Sequence, residues 1–84
     1  VSSLKWGGVS FRAYPQDHEP RHVHAFFAGC EAIVDLRADG TVALADRWDA
    51  LNPANAKRSD LRKILSLAAE HFEELVAIWE AMRG

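Results

Sequence analysis

The spacing of apolar residues changes once along this chain, and the change falls near Ser59. Before it, over residues 9–14, 22–27 and 30–37, side chains alternate between two faces. After it, Leu61, Leu65, Ala68, Phe72, Leu75, Trp79 and Met82 recur at alternating steps of four and three. A step of two puts alternate residues on one face of a strand, whereas steps of three and four put them on one face of a helix. Strands first and helix last make an α+β arrangement. A length of 84 residues suits one domain, residues 1–84. The expected architecture is a small antiparallel sheet of three to four strands packed against one long C-terminal helix.

The strand part reads in order. Leu4 to Trp6 is apolar, and Gly7-Gly8 marks a turn or a strand start. Val9, Phe11 and Ala13 then share one face and Ser10, Arg12 and Tyr14 the other, until Pro15 closes the strand. A polar connection over residues 16–21 follows, in which Pro20 biases Glu19 towards extended backbone. The next strand is His22 to Phe27, with Val23, Ala25 and Phe27 on one face and His22, His24 and Phe26 on the other. Cys30 to Arg37 is the third, with Cys30, Ala32, Val34 and Leu36 on its apolar face.

If Ala28 and Gly29 alone form the loop between these two strands, Phe27 pairs with Cys30. The same register sets His22 opposite Asp35 and His24 opposite Ile33. Ala28 is a poor residue for such a turn, which prefers glycine or asparagine there, and a longer loop changes the pairing. Asp39-Gly40 is a stronger turn signal and leads into a fourth strand, Thr41 to Ala45. Asn52-Pro53 marks an interruption or a brief helical start, and Trp48 and Leu51 are expected to pack back onto the core.

Ser59 is the expected N-cap of the helix, with Asp60 in its first turn. The helix runs to the end of the chain over about 24 residues, roughly 36 Å. Ile64, Leu67 and Ile78 widen its apolar stripe on one side and Ala69 and Val76 on the other, to an arc of about 200°. That exceeds what one small sheet covers. Lys57, Arg58, Arg62 and Lys63 stand at its start and Glu70, Glu73, Glu74 and Glu80 later, against the helix dipole. In an antiparallel pair of such helices these opposite charges meet. Self-association or a small protein partner through the C-terminal helix is the expectation.

Composition narrows the functional classes. A formal net charge of −2 argues against coating of nucleic acid, although the basic cluster at the helix start is a local patch for its backbone. No apolar run approaches the length of a membrane span, and no secretory signal is visible. Cys30 is the single cysteine. Without a partner for an internal disulfide, it fits a reducing, cytoplasmic setting and a buried structural thiol.

Three of the four histidines lie between His18 and His24. His22 and His24 point the same way from one strand, and His18 enters from the preceding loop. Four readings stand side by side. His18, His22 and His24 with Asp17 form a candidate ligand set for a divalent metal such as zinc. The same histidines, with Asp35 orienting a ring and Arg12 or Arg21 meeting phosphate, form a candidate acid–base site for a phosphodiester. The histidines and Asp17 also serve as purely structural hydrogen-bonding groups in a turn and strand entry. Finally, the same residues form a protein-binding surface. His71, beside the helical stripe, reads as a packed boundary residue.

The run Asp17-His18-Glu19-Pro20-Arg21-His22-Val23-His24 resembles the Asp-His-x-Pro-x-His-Val-His signature of a small bacterial domain family of unknown function. Gly8 and Phe11, the Leu61-Arg62-Lys63-Ile64 run and Trp79 extend the resemblance over about residues 6–83. Many relatives carry a second proline where this chain has Arg21. Members of that family stand near toxin–antitoxin-type genes, so the resemblance implies a small interaction or regulatory module, or a nuclease-like toxin. The family brings no catalytic residues to carry over. The functional expectation is therefore an interaction module, with a histidine-based ribonuclease or metal-dependent hydrolase as the alternative.

Overall fold

The computed structural model describes residues 2–83. Its strands are β1 (Ser2–Trp6), β2 (Val9–Ala13), β3 (His22–Phe27), β4 (Cys30–Leu36), β5 (Val42–Leu44) and β6 (Leu51–Asn52), followed by helices α1 (Arg58–Glu70) and α2 (Phe72–Arg83). All strand pairs are antiparallel, in the order β1-β2-β3-β4-β5, with β6 also on β4. The α+β class holds. The sheet, however, has six strands rather than three or four, and two helices replace the single long one. No helix among the described residues is long and apolar enough to cross a membrane.

The additional strand at the front is β1. Gly7 and Gly8 both take positive φ, 57° and 82°, and form the tight turn that pairs Trp6 with Val9. Such two-residue turns match the twist of the strands they join. The turn between β3 and β4 is built the same way, although its first residue is alanine. Ala28 has φ 53° and Gly29 φ 78°, and Phe27 pairs with Cys30. The left-handed alanine costs about 1 kcal/mol, which six aligned residue pairs outweigh. His22 thus faces Asp35 and His24 faces Ile33, as the two-residue loop requires.

β5 and β6 lie end to end along β4, pairing with Val34 to Leu36 and with Glu31 and Ala32 respectively. Between them the chain crosses Ile33, whose amide donates to Ala50 O at 2.8 Å and whose carbonyl accepts from Ala45 N at 2.9 Å. Ala45, Ala50 and Ile33 make a small cluster of their own. At Asn52-Pro53 the interruption holds and no helix starts, since β6 ends at Asn52. One expectation is overturned. Trp48 does not return to the core: it is 95% exposed, because Ala45 and Ala50 pin the loop ends and turn its tip outwards. Leu51 does pack against the main core.

That core lies between the sheet and the helices, with Val9, Phe11, Val23, Ala25, Ala32 and Val34 from the strands against Ile64, Ala68 and Leu75. Burial of the larger of these, the valines, Phe11, Ile64 and Leu75, contributes about 1.5–3 kcal/mol each. The helical stretch breaks at His71, with φ −108° and ψ 30°. Backbone bonding continues across the break, since His71 N donates to Leu67 O and His71 O accepts from Leu75 N, both at 3.0 Å. The imidazole stacks on Trp6 of β1, with ring centroids 3.8 Å apart and planes 1° from parallel. His71 is therefore the packed boundary residue that its position on the stripe indicates. At the other end the helix begins at Arg58, with Lys57 as N-cap and no side-chain cap bond, so Ser59 does not cap it.

Phe11 is fully buried. Replacing it with alanine is expected to cost about 3–5 kcal/mol, read as a lowered denaturation midpoint. Cys30 is buried too, and desolvation raises its thiol pKa, with Asp60 adding to the effect. Thiol titration with an aromatic disulfide reagent should therefore show no reaction in buffer and one equivalent in denaturant.

Candidate functional site

β3 carries His22 and His24 on the face away from the main core, and the loop before it folds Asp17 over both rings. The Asp17 carboxylate lies 3.6 Å from His22 Nε2 and 3.4 Å from His24 Nε2. One ligand atom from each of the three residues falls within a 4.8 Å span. His22 is buried, 6% exposed, between His24 and Trp79, whose ring centroids lie 5.3 and 5.2 Å from its own. His24 is half-buried and meets the edge of Tyr14 at 5.0 Å.

The far side of each ring is also engaged. His22 Nδ1 lies 2.8 Å from Pro20 O. A carbonyl oxygen only accepts, so Nδ1 carries the hydrogen. In the neutral ring, Nε2 then presents its lone pair to Asp17. His24 faces a carboxylate at both ring nitrogens, Glu31 Oε2 from Nδ1 and Asp17 from Nε2, each at 3.4 Å. Both Nε2 atoms thus point at one carboxylate. A cation held among them would meet two ring nitrogens and one carboxylate oxygen.

Asp17 is set by its turn. Its amide donates to Tyr14 O at 3.2 Å, and its carboxylate accepts from Tyr14 N at 3.2 Å. Arg83, in the last turn of α2, holds the same turn from outside. It donates to Tyr14 O at 2.9 Å, to Pro15 O at 3.3 Å and to Asp17 O, with its guanidinium 3.9 Å from the Trp79 ring.

The remaining sequence candidates are placed differently. His18 is exposed and lies outside the close trio, on the wall of a cleft of about 370 Å³ that also includes Asp17, His22, Asp35 and Arg47. Asp35 is half-buried in that cleft wall, across the ladder from His22. Arg12 stands opposite His24 in the register, but its guanidinium lies over the Phe26 ring at 4.8 Å. Arg21 clamps the end of β4, donating to Leu36 O at 2.9 Å and to Arg37 O at 3.1 Å.

Glu31, Arg47 and Arg83 are the residues that sequence reasoning missed. Glu31 was findable, since it sits diagonally from His24 on the same face. Arg83 gave no signal, being 66 residues from Asp17.

A small α+β domain with an aspartate–histidine cluster on one sheet face is the class that this geometry defines. The chain belongs to the family described as a domain of unknown function, DUF4160, whose model matches residues 8–80. No curated protein and no solved structure matches the chain.

Replacing Arg83 with alanine removes all three anchors of the Tyr14–Asp17 turn. Stability should fall on the order of 1–3 kcal/mol, and hydrogen exchange at the Asp17 amide should accelerate.

Proposed function

We infer that Asp17, His22 and His24 bind a divalent metal and that the chain acts as a metal-dependent hydrolase. The observation that carries this reading is the convergence of both Nε2 atoms on one carboxylate while both Nδ1 atoms face acceptors. A histidine that ligates metal characteristically donates its other ring N–H to a carbonyl or a carboxylate. Pro20 O and Glu31 fill those two roles. Ligand atoms about 2.1 Å from a tetrahedral ion stand about 3.4 Å apart, close to the 3.4 and 3.6 Å between Asp17 and the two rings.

Two histidines and one carboxylate leave coordination positions for water and substrate, as catalytic rather than structural sites do. A bound ion supplies an acidified water. His18 and Asp35, on the walls of the adjoining cleft, are then the groups to take and return protons. A second reading, an interaction module of toxin–antitoxin type, draws on a different part of the molecule, the groove along α1 between Arg58 and Arg62.

Calorimetric titration with zinc tests the first reading. One equivalent should bind, and His24→Ala and Asp17→Asn should each weaken binding at least tenfold, while His18→Ala binds like the parent. Zinc-dependent hydrolysis of a nitrophenyl phosphodiester or ester should disappear with His24→Ala. A parent protein that takes up no zinc, or variants that bind it equally well, would sink the proposal.

A further inference from the structure

Trp48 is the exposed large hydrophobic side chain among the described residues, on a loop crossed by several hydrogen bonds. Arg47 donates to Asp49 through Nε at 2.5 Å and Nη2 at 2.8 Å. Ala50 N donates to Arg47 O at 3.1 Å, and both loop ends are pinned at Ile33. The backbone on either side of the indole is therefore braced. A tryptophan on a braced turn orders little main chain when a partner buries it, and its large ring is an efficient anchor.

Elsewhere on the same chain is a surface that fits it. The start of α1 carries a wide, shallow groove of about 630 Å³ whose lining, Arg58, Leu61, Arg62, Leu65 and Ser66, comes from that helix alone. Leu61 and Leu65 are only half-buried there. Neither Arg58 nor Arg62 is paired with a carboxylate among the described residues. The face that bears Trp48 is the opposite in charge. Glu19, Asp35 and Asp46 line the cleft beside the loop without a cationic partner, and the charge of Arg47 is taken up by Asp49.

We propose that Trp48 of one copy docks into the Leu61–Leu65 groove of a second copy, with Arg58 and Arg62 of the groove facing the acidic surface around Asp46. The occupant is a second copy because one chain carries both complementary halves: an aromatic knob with unpaired acids beside it and an apolar groove with unpaired arginines along it. Knob and groove are different surfaces, so the contact is head-to-tail and leaves one of each free on every pair. Association therefore continues beyond two copies unless the rotation closes a ring. Opposite charge across the contact makes it salt-sensitive. It uses none of the proposed metal ligands Asp17, His22 and His24, but the acidic surface it covers includes Asp35 and the cleft of the metal-centre reading, so association is measured on zinc-free protein and zinc binding separately.

Sedimentation velocity over a micromolar to millimolar range tests it, with circular dichroism confirming that each variant is folded. The parent should gain mass with concentration and lose it in high salt. Trp48→Ala and Arg62→Glu should each sediment as one chain, with association weakened at least tenfold. An equimolar mixture of these two variants is the decisive sample. The first retains a sound groove and the second a sound knob, so the mixture should form a two-chain species and stop there. A parent that stays at one-chain mass throughout overturns the proposal. So does self-association that survives in Trp48→Ala, which would mean that the α1 faces pair symmetrically, and so does a mixture that remains monomeric.

Discussion

The pairing of β3 with β4 is the constraint on which the rest of the structure depends. Two residues with positive φ, Ala28 and Gly29, fix its register. A slip by one position would send His22 and His24 to the helix side and Val23 and Ala25 to the opposite face. The same pairing places Ile33 beside His24, where it anchors both ends of the loop that carries Trp48. The main core, the histidine face and the exposed tryptophan are thus consequences of one hairpin.

The two faces of that hairpin have separate tasks. One packs against α1 and α2 through Val23, Ala25, Ala32 and Val34. The other carries the polar cluster, and it is not simply solvent-facing. His22 is buried beneath Asp17 and against Trp79, so the cluster is walled by an aromatic ring on one side and opens to a cleft on the other. Low polarity behind a set of converging nitrogen and oxygen atoms strengthens their interaction with any shared charge. The guanidinium of Arg83 links this wall to the turn that carries Asp17, so the end of α2 braces both sides of the cluster.

Much of this was legible in the residues. The alternation from Val9 to Ala13 and from His22 to Leu36 gave the strands, their apolar faces and the cross-strand partners of both histidines. β1 was less legible because Ser2 to Trp6 offers only Leu4 and Trp6 as alternating apolar residues, and its pairing relies on the Gly7-Gly8 turn. His71 is a natural place for a bend, but the steps of four and three pass through Phe72 undisturbed, so nothing in the spacing demands the break. At the break His71 stacks on Trp6, a contact between opposite ends of the chain. Trp48 misled for a related reason: an isolated apolar side chain reads as core unless the anchors of its loop are known.

Local order, then, was written in the sequence. The period of two, the period of three and four and the glycine-bearing turns determine which side chains share a face, because each depends on neighbours a few residues away. Tertiary structure alone decided that Asp17 closes over His22 and His24, that Arg83 holds it there, that His18 stays outside the trio and that Trp48 stands in solvent. Those placements rest on contacts between residues far apart in the chain, 66 and 69 positions for Arg83. No periodicity encodes such contacts; they form only when packed layers bring the elements together.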